Sequence, residues 1–144
     1  MSAEFDLVRQ KVTESFLKQT IMSTIGATIE TIEPGEVTIK LPFKEGLSQQ
    51  DGFIHAGVIT TIVDSACGYA AMTLMPEDAR VLTIEFKSNF ASPAIGDFFI
   101  AKGKVIKPGR TIMIASGDVH AHKNIDNEAK LVSLMQASMM VINP

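Results

Sequence analysis

Residues 57–73 read GVITTIVDSACGYAAMT, and this run decides what the rest of the chain must do. It is apolar on nearly all sides, so a helix built from it must be buried on nearly all sides. Extended through Met75 it nears the ~20 residues that a bilayer span requires. Asp64 argues against a span, because a carboxylate near the centre costs about 2.5–3.5 kcal/mol on insertion scales. Thr60, Thr61, Ser65 and Thr73 dilute the run further. The reading is therefore a helix inside a soluble fold, ended by Met75-Pro76.

The segments around it say what buries it. Upstream, Phe5, Val8, Val12 and Phe16 form a helical stripe opposite Glu4, Asp6, Arg9, Gln10, Lys11 and Glu14. Residues 27–33 and 36–41 flank Pro34-Gly35 as a hairpin. Residues 43–54 are polar and punctuated by Gly46 and Gly52, hence a loop. Downstream everything reads as sheet. Leu82, Ile84, Phe86 and Phe90 alternate with Thr83, Glu85, Lys87 and Asn89 at a period of two. Pro93 and Gly96 mark a turn, and residues 97–107 and 110–121 flank a second Pro-Gly turn at Pro108-Gly109. Residues 131–142 carry Leu, Val and Met on both faces and are expected as a central strand. Short hairpins enforce antiparallel pairing. The expected fold class is α+β, a curved antiparallel sheet of about six strands wrapped around one long apolar helix. Residues 1–20 form an added amphipathic helix, and 21–144 the remainder of a single domain.

Composition bounds the function. The 144 residues are 46% hydrophobic and 20% charged, with mean hydropathy +0.20 and net charge −3. That balance, without a basic cluster, excludes binding driven by phosphate neutralisation, so no nucleic-acid partner is expected. One cysteine, Cys67, excludes an internal disulfide and reads as a small core residue. The acidic start at Glu4 and Asp6 lacks the features of a signal peptide, and a cytoplasmic location is expected. Asp118, His120 and His122 share a strand face, but they lead into a polar loop and read as solvated rather than as metal ligands.

The densest chemistry lies in Gln49-Gln50-Asp51-Gly52-Phe53-Ile54-His55-Ala56-Gly57, followed by Asp64. Gln49 stands six before His55, and Asp64 nine after it. This pattern resembles the hotdog-fold acyl-CoA thioesterases of the phenylacetate-pathway (PaaI-like) type. The similarity runs from about residue 21 to 142, through Thr83 to Pro93 and the Lys107-Pro108-Gly109-Arg110-Thr111 turn. One position departs: Ala56 stands where the family has the first glycine after the histidine.

The resemblance implies acyl-CoA hydrolysis with no cofactor, coenzyme A being part of the substrate, in a homodimer or homotetramer with shared sites. It assigns Asp64, Gln49, His55, Ala56 and Gly57 to the reaction. Thr83, Asn89, Phe90, Lys107 and Arg110 are the candidate substrate contacts, the two cations because they suit the phosphates of CoA.

The assignment is physically sensible. A helix start presents unpaired N–H groups and partial positive charge to a developing oxyanion, here from Ala56 and Gly57. A carboxylate serves as nucleophile or as base for water, and Gln49 can polarise the carbonyl or hold that water. Phe53, Tyr69, Met72 and Phe90 are candidates to line a tunnel for an aryl or medium acyl chain.

Gly57 and Asp64 stand about 10 Å apart along a helix at ~1.5 Å per residue. They hardly reach one reacting centre together, so the site is expected to join two subunits. Two alternatives remain: a hotdog 3-hydroxyacyl-thioester dehydratase, and a non-catalytic acyl-thioester binding domain. The chain lacks the proline-containing approach to the histidine that the first would carry. It has no room for the DNA-binding module that a sensor of the second kind would need.

Overall fold

The computed structural model describes residues 2–144. Two helices, α1 (Ala3–Lys18) and α2 (Thr20–Ile25), precede the hairpin β1 (Thr28–Glu33) and β2 (Glu36–Pro42). A 3-10 turn, Glu45–Leu47, leads to α3 (Ala56–Met72). Four strands follow: β3 (Arg80–Phe90), β4 (Phe98–Lys107), β5 (Ile112–His122) and β6 (Ala129–Ile142). All six strands form one antiparallel sheet in the order β1-β2-β4-β5-β6-β3. The α+β expectation holds, as a curved sheet around α3 with an added N-terminal helix. Among the described residues, no helix is long and apolar enough to cross a membrane.

The first half of α3 is rich in β-branched residues, which hold helix poorly by themselves. Burial compensates: Ile59, Ile62, Val63, Ala66, Cys67, Ala70 and Ala71 are completely inaccessible. Thr60 and Thr61 return their hydroxyls to the carbonyls of Ala56 and Gly57, so neither hydroxyl needs another partner. The helix packs on the sheet over a glycine pair, Gly103 on β4 opposite Gly117 on β5. A Cβ on Gly103 would collide with the backbone of Ala66 and Cys67, and one on Gly117 would sit 2.5 Å from Val63 Cγ2. These two positions set how closely helix and sheet approach. Helix α1 buries Val12 and Phe16, and the Phe16 ring lies 6.0 Å from that of Tyr69 on α3, whose hydroxyl meets Gln19 Nε2 at 2.7 Å and Ser15 Oγ at 3.2 Å.

Three details differ from the sequence reading. Helix α2 was not expected; it is a single short turn-and-a-half closed by Gly26 in the left-handed region at φ 83°. Strand β3 is an edge, and its period of two breaks between Thr83 and Glu85. Val81 and Thr83 lie opposite the buried Val141 and Met139, whereas Phe86 and Ser88 lie opposite the buried Ala137 and Met135. Leu82 and Phe86 therefore face opposite sides of the sheet. Strand β6 lies inside the sheet as expected, yet its outer side chains Leu134 and Met140 are exposed.

Overpacking a seat this tight costs about 1–3 kcal/mol. Gly103→Ala should lower the thermal and urea midpoints accordingly, while Gly46→Ala, with nothing within 4 Å of the added carbon, should leave them within error. Equal midpoints for the two variants would show that α3 does not depend on that approach.

Candidate active site

His55 is the N-cap of α3, with φ −59° and ψ 138°. Its Nδ1 accepts the Gly57 N–H at 2.8 Å, so the neutral ring carries its hydrogen on Nε2. This narrows the expected pair of oxyanion donors. The Gly57 amide is already engaged by the cap, while the Ala56 N–H has no protein partner among the described residues.

Gln49 sits in a tight loop whose turn is closed by Gly52 at φ 85°. The Gln49 N–H donates to the Phe53 carbonyl, and its side-chain Oε1 accepts from Asp51 N at 2.5 Å and Phe53 N at 3.2 Å. Two backbone donors thus fix the oxygen end of the amide, which leaves Nε2 to donate elsewhere. Gln49, Phe53, His55, Ala56, Ile59 and Phe90 line one cleft of about 320 Å³.

Asp64 does not line that cleft. It lies two turns along α3, half-buried, and accepts a hydrogen bond from Thr83 Oγ1 at 2.7 Å. Burial raises its pKa above the ordinary 3.8, and the Thr83 hydrogen bond pulls back in the opposite direction. Thr83 Oγ1 also touches Met139 Sδ at 3.4 Å, a weaker acceptor than the carboxylate. The structure therefore holds the candidate residues in two separate groups within one chain: the Gln49–His55–Ala56 cleft and the Asp64–Thr83 pair.

The other candidates divide. Phe90 lies in the cleft, but Asn89 points to the opposite face of β3, across from Leu134. Lys107 and Arg110 are exposed at the far end of α3; Lys107 Nζ donates to the Pro108 carbonyl, and Arg110 lines a second cleft with Leu74, Pro76 and Thr111. Cys67 is buried, its thiol pushed up to about 12 by burial and then by Asp64 and Asp118, so it supplies no nucleophile.

Among the described residues no group of three ligating side chains could hold a metal ion. Asp118 Oδ1 meets His120 Nδ1 at 3.2 Å, while His122 stacks on Phe98 with centroids 4.9 Å apart. Sequence reasoning missed Ser88 and Ser133, neighbours of Phe90 on the inner face, whose buried hydroxyls have no protein partner. A period of two marks their face but not their lack of partners.

The comparisons agree with this architecture. The family model described as Thioesterase superfamily matches residues 51–126. A protein of Saccharolobus solfataricus that carries an esterase name is 32% identical over 117 residues, spanning 81% of this chain and 76% of its own. A similarly named protein of Halobacterium salinarum is 31% identical over 100 residues, which is 66% of each chain. Among solved structures, a thioesterase family protein from Silicibacter pomeroyi superposes with TM-score 0.92 at 45% identity, covering 95% of this chain and 99% of that one. The PaaI protein of the E. coli phenylacetic acid degradation operon superposes with TM-score 0.84 over 96% and 95% of the two chains; at 15% identity this is a likeness of fold. The chain belongs to the thioesterase superfamily, built on the hotdog fold.

Proposed function

We propose that the protein hydrolyses acyl-CoA thioesters in the manner of the PaaI-like members, in a site made by two subunits. The observation that carries this reading is Asp64, a half-buried carboxylate on an otherwise apolar helix, held by one hydroxyl beside an unpaired sheet edge. That edge is β3, whose Leu82, Ile84, Phe86 and Phe90 are 61%, 51%, 45% and 48% exposed. Such an edge templates pairing with another strand. An antiparallel two-fold pairing centred near Phe86, with the extra residue at Ile84 allowed for, sets Thr83 opposite the partner's Ser88, one inner position from the partner's Phe90. The Asp64 carboxylate of one subunit then faces the cleft of the other.

In that site the Ala56 N–H receives the carbonyl oxygen as it becomes an oxyanion, aided by the positive end of α3. Gln49 Nε2 donates to the same carbonyl or to the attacking water. Asp64 adds to the carbonyl carbon as a nucleophile or takes a proton from water. The C–S bond breaks, the CoA thiolate takes up a proton, and one water in total yields the acid and the free thiol. No cofactor enters this scheme. Lys107 and Arg110, both exposed, are the cations offered to the CoA phosphates, and the setting is cytoplasmic. Release of free thiol from acyl-CoAs, run beside hydration of enoyl-CoA, tests the reaction; hydration without thiol release would overturn it in favour of a dehydratase.

Asp64→Asn keeps the shape and removes the base. Turnover should fall by at least about a hundredfold, the scale of general acid–base or nucleophilic assistance. Stability should move the other way. The folded pKa lies above the unfolded one, so the charged carboxylate weighs against folding at neutral pH, and that penalty fades as pH falls toward 3.8. The variant should therefore melt higher than wild type at pH 7, with the gap closing in acid. Unchanged turnover in the folded variant would remove Asp64 from the mechanism.

Complementation tests the shared site. Asp64→Ala and Gln49→Ala homodimers should each be weak, whereas a mixed dimer holds one doubly damaged site and one intact one. Co-refolding should restore activity toward half of wild type per mixed dimer. Exchange confirmed by mass without any recovery would show that both residues act from the same chain.

The pairing itself is open to sedimentation. Phe86→Asp buries a charge at the centre of the proposed pairing and should give an inactive monomer, where wild type sediments as a dimer or tetramer. A variant that remains an active oligomer would move the interface away from β3.

A further inference from the structure

Two hydroxyls on the inner face of the sheet, those of Ser88 and Ser133, are closed off from water and have no partner among the described residues. Ser133 stands on β6, inside the sheet. Ser88 stands on β3, the edge strand, where a partner can be brought to it. A hydroxyl shut in without a bond carries the full cost of its lost hydration. Serine turns about χ1 among staggered wells, so its burial in one chain does not fix the direction of its proton.

The carboxylate nearby is short of donors. Among the described residues Asp64 accepts one hydrogen bond, from Thr83 Oγ1 at 2.7 Å, although a carboxylate offers about four acceptor positions. Thr83 has one proton to give, and Met139 Sδ stands 3.4 Å away as a competing acceptor. A donor to Thr83 Oγ1 from the open side strengthens its bond to Asp64, since each bond in such a chain polarises the next. The chain contains a hydroxyl pair of this kind already. Thr31 and Thr38 stand directly opposite on β1 and β2, and their hydroxyls meet at 2.6 Å. In the two-fold pairing of β3, Thr83 and the partner's Ser88 stand in the same relation. The bulge at Ile84 is what brings both to the inner face; with unbroken alternation, two residues five apart would point to opposite faces.

We propose that Ser88 is a positioning residue for the carboxylate of the other subunit: the partner's Ser88 donates to Thr83 Oγ1, Thr83 donates to Asp64, and this chain of bonds aims the carboxylate into the shared site. The proposal rests on the two-subunit thioesterase reading. The bridge works against burial, which raises the Asp64 pKa, because it strengthens the Thr83 bond that lowers it. Few other charges bear on this carboxylate. Cys67 on α3 stays protonated, its thiol pushed up to about 12, and Asp118 on β5 acts on that thiol. From α1, the neutral Gln19 meets the Ser65 hydroxyl at 3.4 Å. The buried side chains of β2, β4 and β6 are uncharged, and β3 carries Glu85 and Lys87 on its outer face. The pairing itself brings the partner's His55.

The test uses the full chain. Ser88→Ala should lower kcat about three- to tenfold with KM unchanged, the scale of one hydrogen bond. The acid limb of kcat should move to higher pH, and Ser88→Thr, which keeps the hydroxyl, should recover most of the rate. With Thr83→Val in place, Ser88→Ala should cost nothing more, since the serine acts through Thr83. Mixed dimers locate the effect. Their working site takes Asp64 from the Gln49→Ala chain and the cleft from the Asp64→Ala chain. Ser88→Ala added to the Asp64→Ala chain should reproduce the loss, and added to the Gln49→Ala chain it should not. Full turnover in dimeric Ser88→Ala, losses that add to those of Thr83→Val, or a loss that follows the Gln49→Ala chain would overturn the bridge while leaving hydrolysis intact. Wild type that releases no thiol from any acyl-CoA would overturn the thioesterase reading instead. The bridge is then read from the dimer dissociation constant, which Ser88→Ala should raise at least about fivefold, two bonds being lost per dimer; an unchanged constant would overturn it.

Discussion

Everything in this fold depends on how closely α3 approaches the sheet. Gly103 and Gly117 face each other across β4 and β5 under the middle of the helix, and neither site has room for a methyl group. Close approach lets Val63, Ala66 and Cys67 lose all contact with solvent. Dispersion contacts fall off within a fraction of an ångström, so a raised helix would forfeit much of that packing. With α3 pressed to the sheet on one side and α1 laid over part of the other, the surface left open carries Thr61, Asp64 and Ser65. The candidate chemistry is confined to that surface because the packing has occupied the rest.

The two half-sites follow from the helix as an electrostatic object. Its N-terminus concentrates unpaired donors and positive potential, which suits an oxyanion, and His55 and Ala56 divide those donors between the cap and a free N–H. A base placed in the same turn would be drawn into the capping network. Two turns further along, Asp64 is remote from that charge and its carboxylate is partly desolvated, which raises its proton affinity. The separation that keeps base and donor chemically distinct also keeps them apart within one subunit. In the proposed assembly a two-fold through the β3 edge reunites them.

The sequence made some of this plain and hid the rest for identifiable reasons. Pro34-Gly35 and Pro108-Gly109 announce hairpins because their backbone preferences are local. The apolar run from residue 57 announces a buried helix because burial is written in composition. The resemblance to the thioesterase pattern singled out Gln49, His55 and Asp64. It did not reveal that Gln49 Oε1 is spent on Asp51 and Phe53, or that Gly57 is spent on His55, since those bonds depend on the loop's path. Helix α2 escaped notice because six residues offer too little periodicity to register.

The break in β3 shows why a local irregularity can carry a site. With an unbroken period of two, the face that holds Val81 and Thr83 would continue through Glu85, Lys87 and Asn89. Charged side chains would then point at α3, with a desolvation cost of several kcal/mol for each ion that found no partner. The extra residue at Ile84 reverses the alternation, so Thr83 still reaches Asp64 while Phe86, Ser88 and Phe90 take the inner positions after it. Glu85 and Lys87 move to the outer face. Bulges change which side chain a strand presents without changing its pairing elsewhere. Here a single inserted residue lets one edge strand supply a hydroxyl to the carboxylate and an aromatic ring to the cleft, and both half-sites depend on it.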